Sequence, residues 1–288
     1  MTKIKISYSR DQIILLFAAF NEIMLGLDVY LAHLTSGEIL PYEWIPIIFG
    51  PAAGVGLLIA GIIALRKRTI ANLLATGVFF ASMLVGVLGS YFHLIRASIP
   101  AELFGRWFSL DMLVWAPPIL GPISFAGIAL LGLSAAWIES PPDSGKLLLI
   151  KNIKLQLPYS KTRGFLLLLS FGILTALISS TLDHARTGFS NTWLWLPLVA
   201  GVFALIVTVY LGFIGQPQRS DIMTYVSAML LLMAVGVVGA VLHVQADLTS
   251  QSQIVVERFL RGAPIMAPLQ FANLGMLGII ILLDPKEK

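Results

Sequence analysis

The chain has 288 residues, of which 57% are hydrophobic and only 12% charged, with a formal net charge of +4 and a mean hydropathy of +0.88. Soluble domains carry about 25% charged residues, so an ordinary soluble domain is excluded and an integral membrane protein is expected. With no cysteine, disulfides, thiolate metal sites and iron–sulfur clusters are excluded too. The basic residues sit in short segments between apolar runs and give no nucleic-acid-binding patch.

At roughly 20 apolar residues per span, eight candidates follow one another at about 12–34, 43–65, 70–95, 112–138, 164–183, 193–215, 221–244 and 263–283. Apolar runs of this length predict helices, because backbone groups in lipid must be satisfied within the segment. The alternation of a membrane β-barrel is absent from the sequence. The polar start MTKIKISYSRDQ runs directly into the first span, and no cleavable signal peptide is expected.

The first span carries Glu22 at mid-depth and His33 at its far end. An ionised acid there costs about 2.5–3.5 kcal/mol, so Glu22 is expected to be protonated or hydrogen-bonded to Asn21 or a neighbouring helix. A satisfied core acid and a proton or quinol site both fit it. The second span opens on Trp44-Ile45-Pro46. The third ends in VGVLGSYFH (85–93), which places Gly86 and Gly89 seven and four residues before His93, on the same helix face. The following SIPAELFGRWFSLDML (98–113) reads as a short interfacial helix. The fourth span reads PILGPISFAGIALLGL from Pro118. Next, a Pro-Pro-Asp-Ser-Gly turn signal precedes KLLLIKNIKLQL, which is expected to lie on the membrane surface as a basic amphipathic segment.

The same order then recurs. His184 follows His33 by 151 residues, and Trp195-Leu196-Pro197 follows Trp44-Ile45-Pro46 by the same interval. The phrase VGVVGAVLH (235–243) repeats VGVLGSYFH at an offset of 150, with Gly236, Gly239 and His243 in register. SQSQIVVERFLRGAPI (250–265) again reads as interfacial. PIMAPLQFANLGMLGI from Pro264 repeats Pro122, Phe125 and Gly132 as Pro268, Phe271 and Gly278. Asn273 and Gln270 in this last span read as interhelical glue. The predicted fold is therefore an all-α integral membrane protein, with eight transmembrane helices arranged as two tandem four-helix bundles. Residues 1–138 form the first repeat, 139–163 a cytoplasmic linker and 164–288 the second repeat. An even number of spans per unit makes the repeats parallel.

Fourteen of the nineteen basic residues fall on the side that carries both termini. The other side has only Arg96, Arg106, Arg186, Arg258 and Arg261. The positive-inside rule puts both termini in the cytoplasm of a cell (plasma) membrane, and all four histidines at the outer ends of their helices.

Within each half the histidines lie on alternate helices, His33 with His93 and His184 with His243. Such helices run parallel and face each other across a bundle core. Two imidazoles meeting at one depth is the geometry of bis-histidine ligation, with haem b as the leading cofactor. The glycine face below His93 and His243 has two uses: close approach of a neighbouring helix, or a bed for a flat macrocycle under its axial ligand. Arg96, Arg186 and Arg261, with Arg258, are candidates to pair its propionates. The candidate cofactor site thus comprises His33, His93, His184, His243, Gly86, Gly89, Gly236, Gly239, Arg96, Arg186 and Arg261, with the four histidines as metal ligands. Alternatives are copper, a mixed site with Asp28, Asp183 or Asp247, and no cofactor.

This layout resembles the haem A synthase family. That family has eight helices, a parallel duplication of four-helix bundles, and a histidine pair at the outer side of each half on alternate helices. The resemblance implies haem ligation by the four histidines. The family's Glu-x-x-His-Arg signature is absent, the stretch here reading Asp28-Val-Tyr-Leu-Ala-His33-Leu, so the synthase reaction is not carried over. The expected role is electron transfer near the outer face, with quinol or the subunits of a respiratory-type membrane complex as partners, or assembly of such a complex. A transporter or channel and a cofactor-free structural subunit are the alternatives, and no enzymatic reaction is assigned.

Overall fold

The computed structural model describes residues 8–35, 37–102, 114–115, 118–149, 153–248 and 253–283, without the side chains of residues 97, 99–102 and 261. Helix α1 (Arg10–Leu34) begins at Ser9, whose hydroxyl accepts from the Gln12 N–H while the Gln12 side chain accepts from Ser9 N–H. It is followed by α2 (Trp44–Ala64), α3 (Arg68–Glu102) and α4 (Leu120–Ala136). A small sheet then intervenes, β1 (Ile138–Glu139), β2 (Lys146–Leu148) and β3 (Lys154–Gln156), antiparallel in the order β1-β2-β3. The second half opens with α5 (Lys161–Ala185), again capped by a serine, Ser160. A single 3-10 turn, Thr192–Trp195, leads into α6 (Leu196–Phe213). Then come α7 (Arg219–Asp247), the short α8 (Val256–Arg261) and α9 (Met266–Ile281).

Six of these helices are long and apolar enough to cross a membrane: α1, α2, α3, α5, α6 with its leading turn, and α7. Large aliphatic side chains such as Ile62, Val199 and Ile206 stand 69%, 67% and 62% exposed on them, which is the surface lipid would cover. Helices α4 and α9 are apolar but only 17 and 16 residues long. Proline explains where they start. Pro122 and Pro268 each occupy the third helical position, where the missing N–H is an unpaired donor in any case. The chain around Pro118 and Pro264 lies outside the helices.

Each half is a closed ring of four helices. In the first, α1 packs on α2, α2 on α3, α3 on α4 and α4 on α1. In the second, α5, α6, α7 and α9 repeat that ring. The halves join through α1 against α9 and α4 against α5, a pseudo-twofold exchange of first and last helices. The described residues are thus predominantly helical, with the helices packed in two groups of four. One core cluster lies inside the first bundle and is built from small residues (Ala18, Ala19, Ala60, Ala75, Ala129) around Phe79. The other runs from Ile14 and Phe17 across the junction to Phe165, Leu169, Leu232 and Phe271.

Two segments differ from the sequence expectation. Within KLLLIKNIKLQL, Lys146–Leu148 and Lys154–Gln156 are paired antiparallel strands, and residues 150–152 lie outside the described residues. Leu147 turns inward at 2% exposure between the outward Lys146 and the partly covered Leu148, a period of two that the basic residues had masked. The Glu139 carboxylate ties this sheet to the second bundle, accepting from the N–H groups of Asp143, Gly145 and Lys161. The helix expected after residue 98 is, as far as Glu102, a continuation of α3. Residues 103–113, including Arg106, lie outside the described residues. Its counterpart after α7 contains the short helix α8.

Candidate histidine site at one end of the helices

Helices α1 and α3 bring His33 and His93 together, their ring centroids 6.2 Å apart at an interplanar angle of 57°. Both rings are half-buried, and each has one nitrogen committed. His33 Nδ1 donates to Glu43 Oε2 at 3.1 Å, and His93 Nδ1 donates to the Pro118 carbonyl at 2.9 Å. Because a carbonyl and an ionised carboxylate only accept, Nδ1 carries a proton in both rings, and in the neutral form of each ring the lone pair is on Nε2.

Glu43 is held in turn. Its carboxylate accepts from the Leu40 N–H at 2.8 Å, and Arg96 lies 4.0 Å from its second oxygen. Partial burial works to raise this carboxyl. The Leu40 N–H, the His33 ring and the Arg96 charge outweigh that and hold it below the usual carboxylate range. Glu43 was missed in the sequence because it stands in the turn before α2, ten residues beyond His33, outside any helical spacing. One turn below His93 on the same face, Ser90 has a buried hydroxyl with no hydrogen-bond partner among the described residues.

The second half repeats part of this. His243 Nδ1 donates to the Pro264 carbonyl at 2.9 Å, the counterpart of His93 and Pro118. His184 lies within electrostatic reach of His243 and Asp183. The position matching Glu43 is Leu194, so no carboxylate approaches from that turn. The described ring neighbour of His184 is Phe189, edge-on at 6.3 Å, itself 4.6 Å from Trp195.

The glycines of the repeated phrase take the first of their two uses. A methyl on Gly86 would lie 2.6 Å from the Ala126 nitrogen and 2.9 Å from the Pro122 oxygen; one on Gly89 would lie 2.8 Å from Pro122 Cβ. Gly236 meets Ala272 and Pro268 in the same way, and Gly239 would approach Pro268 Cβ to 2.7 Å. The face below each histidine is therefore the seat of α4 or α9. Two cavities among the described residues, of about 490 and 760 Å³, are lined without a histidine.

The arginines are also placed. Arg96 is 62% exposed and faces Glu43. Arg186 donates from Nε to the Val114 carbonyl at 2.7 Å and lies 3.7 Å from Asp183. The side chain of Arg261 lies outside the described residues, and Arg258 donates to the Ala246 carbonyl. Asp247 accepts from the Ala263 N–H at 2.9 Å and so fastens the start of α9. No group of three or more potential metal-ligating side chains occurs among the described residues.

Deeper in the first bundle, Glu22 is fully buried. The Ser82 hydroxyl stands between Glu22 Oε1, at 2.6 Å, and the Phe125 carbonyl, at 3.1 Å. Asn21 turns instead to the Phe17 carbonyl and, across the junction of the halves, to Asn273, where the two amides exchange hydrogen bonds. No family model, curated protein or solved structure matches the chain.

Proposed function

We propose that the protein is an eight-span membrane protein that binds a copper ion between His33 and His93 at its outer end and serves one-electron transfer there. The observation that carries this is the pair of imidazoles with both Nδ1 positions tied off. A metal-ligating histidine commonly donates its other N–H to a carboxylate or backbone carbonyl, which fixes the tautomer and aims the lone pair. Here one ring has each kind of partner. Two imidazoles bound through Nε2 on opposite sides of an ion place their centroids about 6–6.5 Å apart, given metal–nitrogen bonds of about 2.0–2.1 Å. The rings stand 6.2 Å apart.

Copper heads the affinity order for nitrogen ligands, and imidazole suits it. Zinc prefers four ligands, and no third side chain joins this pair among the described residues. When bound, the copper couple would supply a single electron. His33 and His93 would hold it, and Glu43 and the Pro118 carbonyl would orient them. Haem b is the weaker reading, because the glycine face that was to bed it is occupied by α4. In this reading α4 and α9 also cross the bilayer, tilted little and close to the minimum length, with both termini on the side rich in basic residues.

A second reading makes His93 and His243 helix locks without metal. It is favoured by the identical bonds to Pro118 and Pro264. Purified protein titrated with Cu(I) under anaerobic conditions separates the two. The copper reading expects one equivalent bound tightly, lost in both His33→Ala and His93→Ala and retained in His184→Ala. Absence of copper binding in a folded protein would leave the lock as the role of these histidines. A Soret band in protein purified from its membrane would reinstate haem.

A further inference from the structure

The larger cavity, about 760 Å³, opens where α5 and α7 begin and α6 and α9 end, at the opposite end of the second bundle from the histidines. Its wall has two chemistries. Arg10, Arg163, Ser160 and Thr162 are among its polar lining residues, and Leu211 and Ile222 among its aliphatic ones. Arg10 is 1% exposed and firmly placed. It donates from Nε to Asp11 at 3.1 Å and from one terminal nitrogen to Thr162 Oγ1 at 2.7 Å, with its guanidinium 4.9 Å over the Phe165 ring. Arg163 donates from one terminal nitrogen to the carbonyls of Ile214 and Gly215. Each guanidinium has five N–H donors, so these bonds leave both arginines with donors to spare. The first turn of α5 adds the positive end of a 25-residue helix. Asp143 is the acid on the wall and lies exposed at the rim, where water screens it.

We propose that this cavity binds the phosphate-bearing headgroup of an anionic phospholipid. The phosphodiester would sit against Arg163, with the charge of the buried Arg10 behind the wall and the start of an acyl chain along Leu211 and Ile222. Basic pockets between membrane helices on the positively charged side hold such headgroups, and a lining that holds both cationic and aliphatic residues matches an amphiphile better than a free anion.

The test is the thermal unfolding of the detergent-solubilised full chain with added phosphatidylglycerol, phosphatidylcholine or inorganic phosphate. Phosphatidylglycerol is expected to raise Tm by roughly 2–4 °C or more, and phosphatidylcholine to leave it unchanged. The rise should disappear in Arg163→Gln, which removes charge, and independently in Ile222→Trp, which fills space at the aliphatic lining. Equal rises with both lipids, or a phosphatidylglycerol rise that survives both substitutions, would overturn the proposal. A rise of the same size with inorganic phosphate alone would overturn the lipid as its source.

Discussion

At the scale of single residues, the site depends on what stands behind the imidazoles. Sequence spacing alone was enough to pair His33 with His93, because both end apolar runs on alternate helices. It could not find Glu43, whose reach depends on the turn between α1 and α2. Removing an outer partner of this kind lowers metal affinity about 10–100-fold. Glu43→Gln should therefore weaken copper binding by that factor in a competition titration, with the fold intact. The same carboxyl gives a pH dependence. Its folded-state value is depressed, so its contribution to stability is present above the usual carboxylate range and is lost as pH falls through the lowered value. The Tm difference between wild type and Glu43→Gln should be constant near neutrality and vanish in acid. A difference that grew on acidification would contradict the placement.

Among the helices, the repeated phrase is a docking surface. Gly86 and Gly236 admit the backbone of Ala126 and Ala272, and the histidine above each glycine bonds the proline carbonyl that precedes the docked helix. Periodicity correctly placed glycine and histidine on one face; which neighbour fills that face is a tertiary fact that no repeat length encodes. Likewise, the linker's two strands were not legible, because the period-two signal spans only three residues per strand. The glycines make a sharp comparison. Gly86→Ala and Gly236→Ala force backbone apart and should each destabilise by about 1–3 kcal/mol. Gly77→Ala and Gly127→Ala meet nothing within 4 Å and should be neutral or stabilise by up to about 1 kcal/mol. Unfolding in mixed micelles ranks the four. Similar costs at all four positions would mean that helix propensity, not close approach, governs them.

For the whole molecule, the question is what joins two bundles that composition makes equally apolar. Hydrophobic burial distinguishes poorly between partners in lipid, so polar groups at the junction carry the specificity. At mid-depth this is the Asn21–Asn273 amide pair. At the other end, Arg10 and Lys161 occupy equivalent positions 151 residues apart. Both are 1% exposed, both stand over the Phe165 ring, at 4.9 and 5.9 Å, and they share Asp11. Lys161 also donates to the Trp137 carbonyl at 2.6 Å. The sequence counted these cations only as topology signals, because burial at a pseudo-twofold junction cannot be read from position along the chain. Asp11 has no acidic counterpart in the second half, where Thr162 stands, so both cations pair with the same carboxylate, and Glu139 lies within electrostatic reach of Lys161. Deleting one partner of a buried ion pair costs about 3–5 kcal/mol, while replacing a pair by apolar groups of similar volume is often neutral. Asp11→Asn should therefore cost about 3–5 kcal/mol in micelle unfolding, and adding Lys161→Met should recover much of that loss by removing one stranded charge. Recovery is the deciding result: if the double variant is as unstable as the sum of the single ones, the two residues act independently and the cluster is not what fastens the bundles.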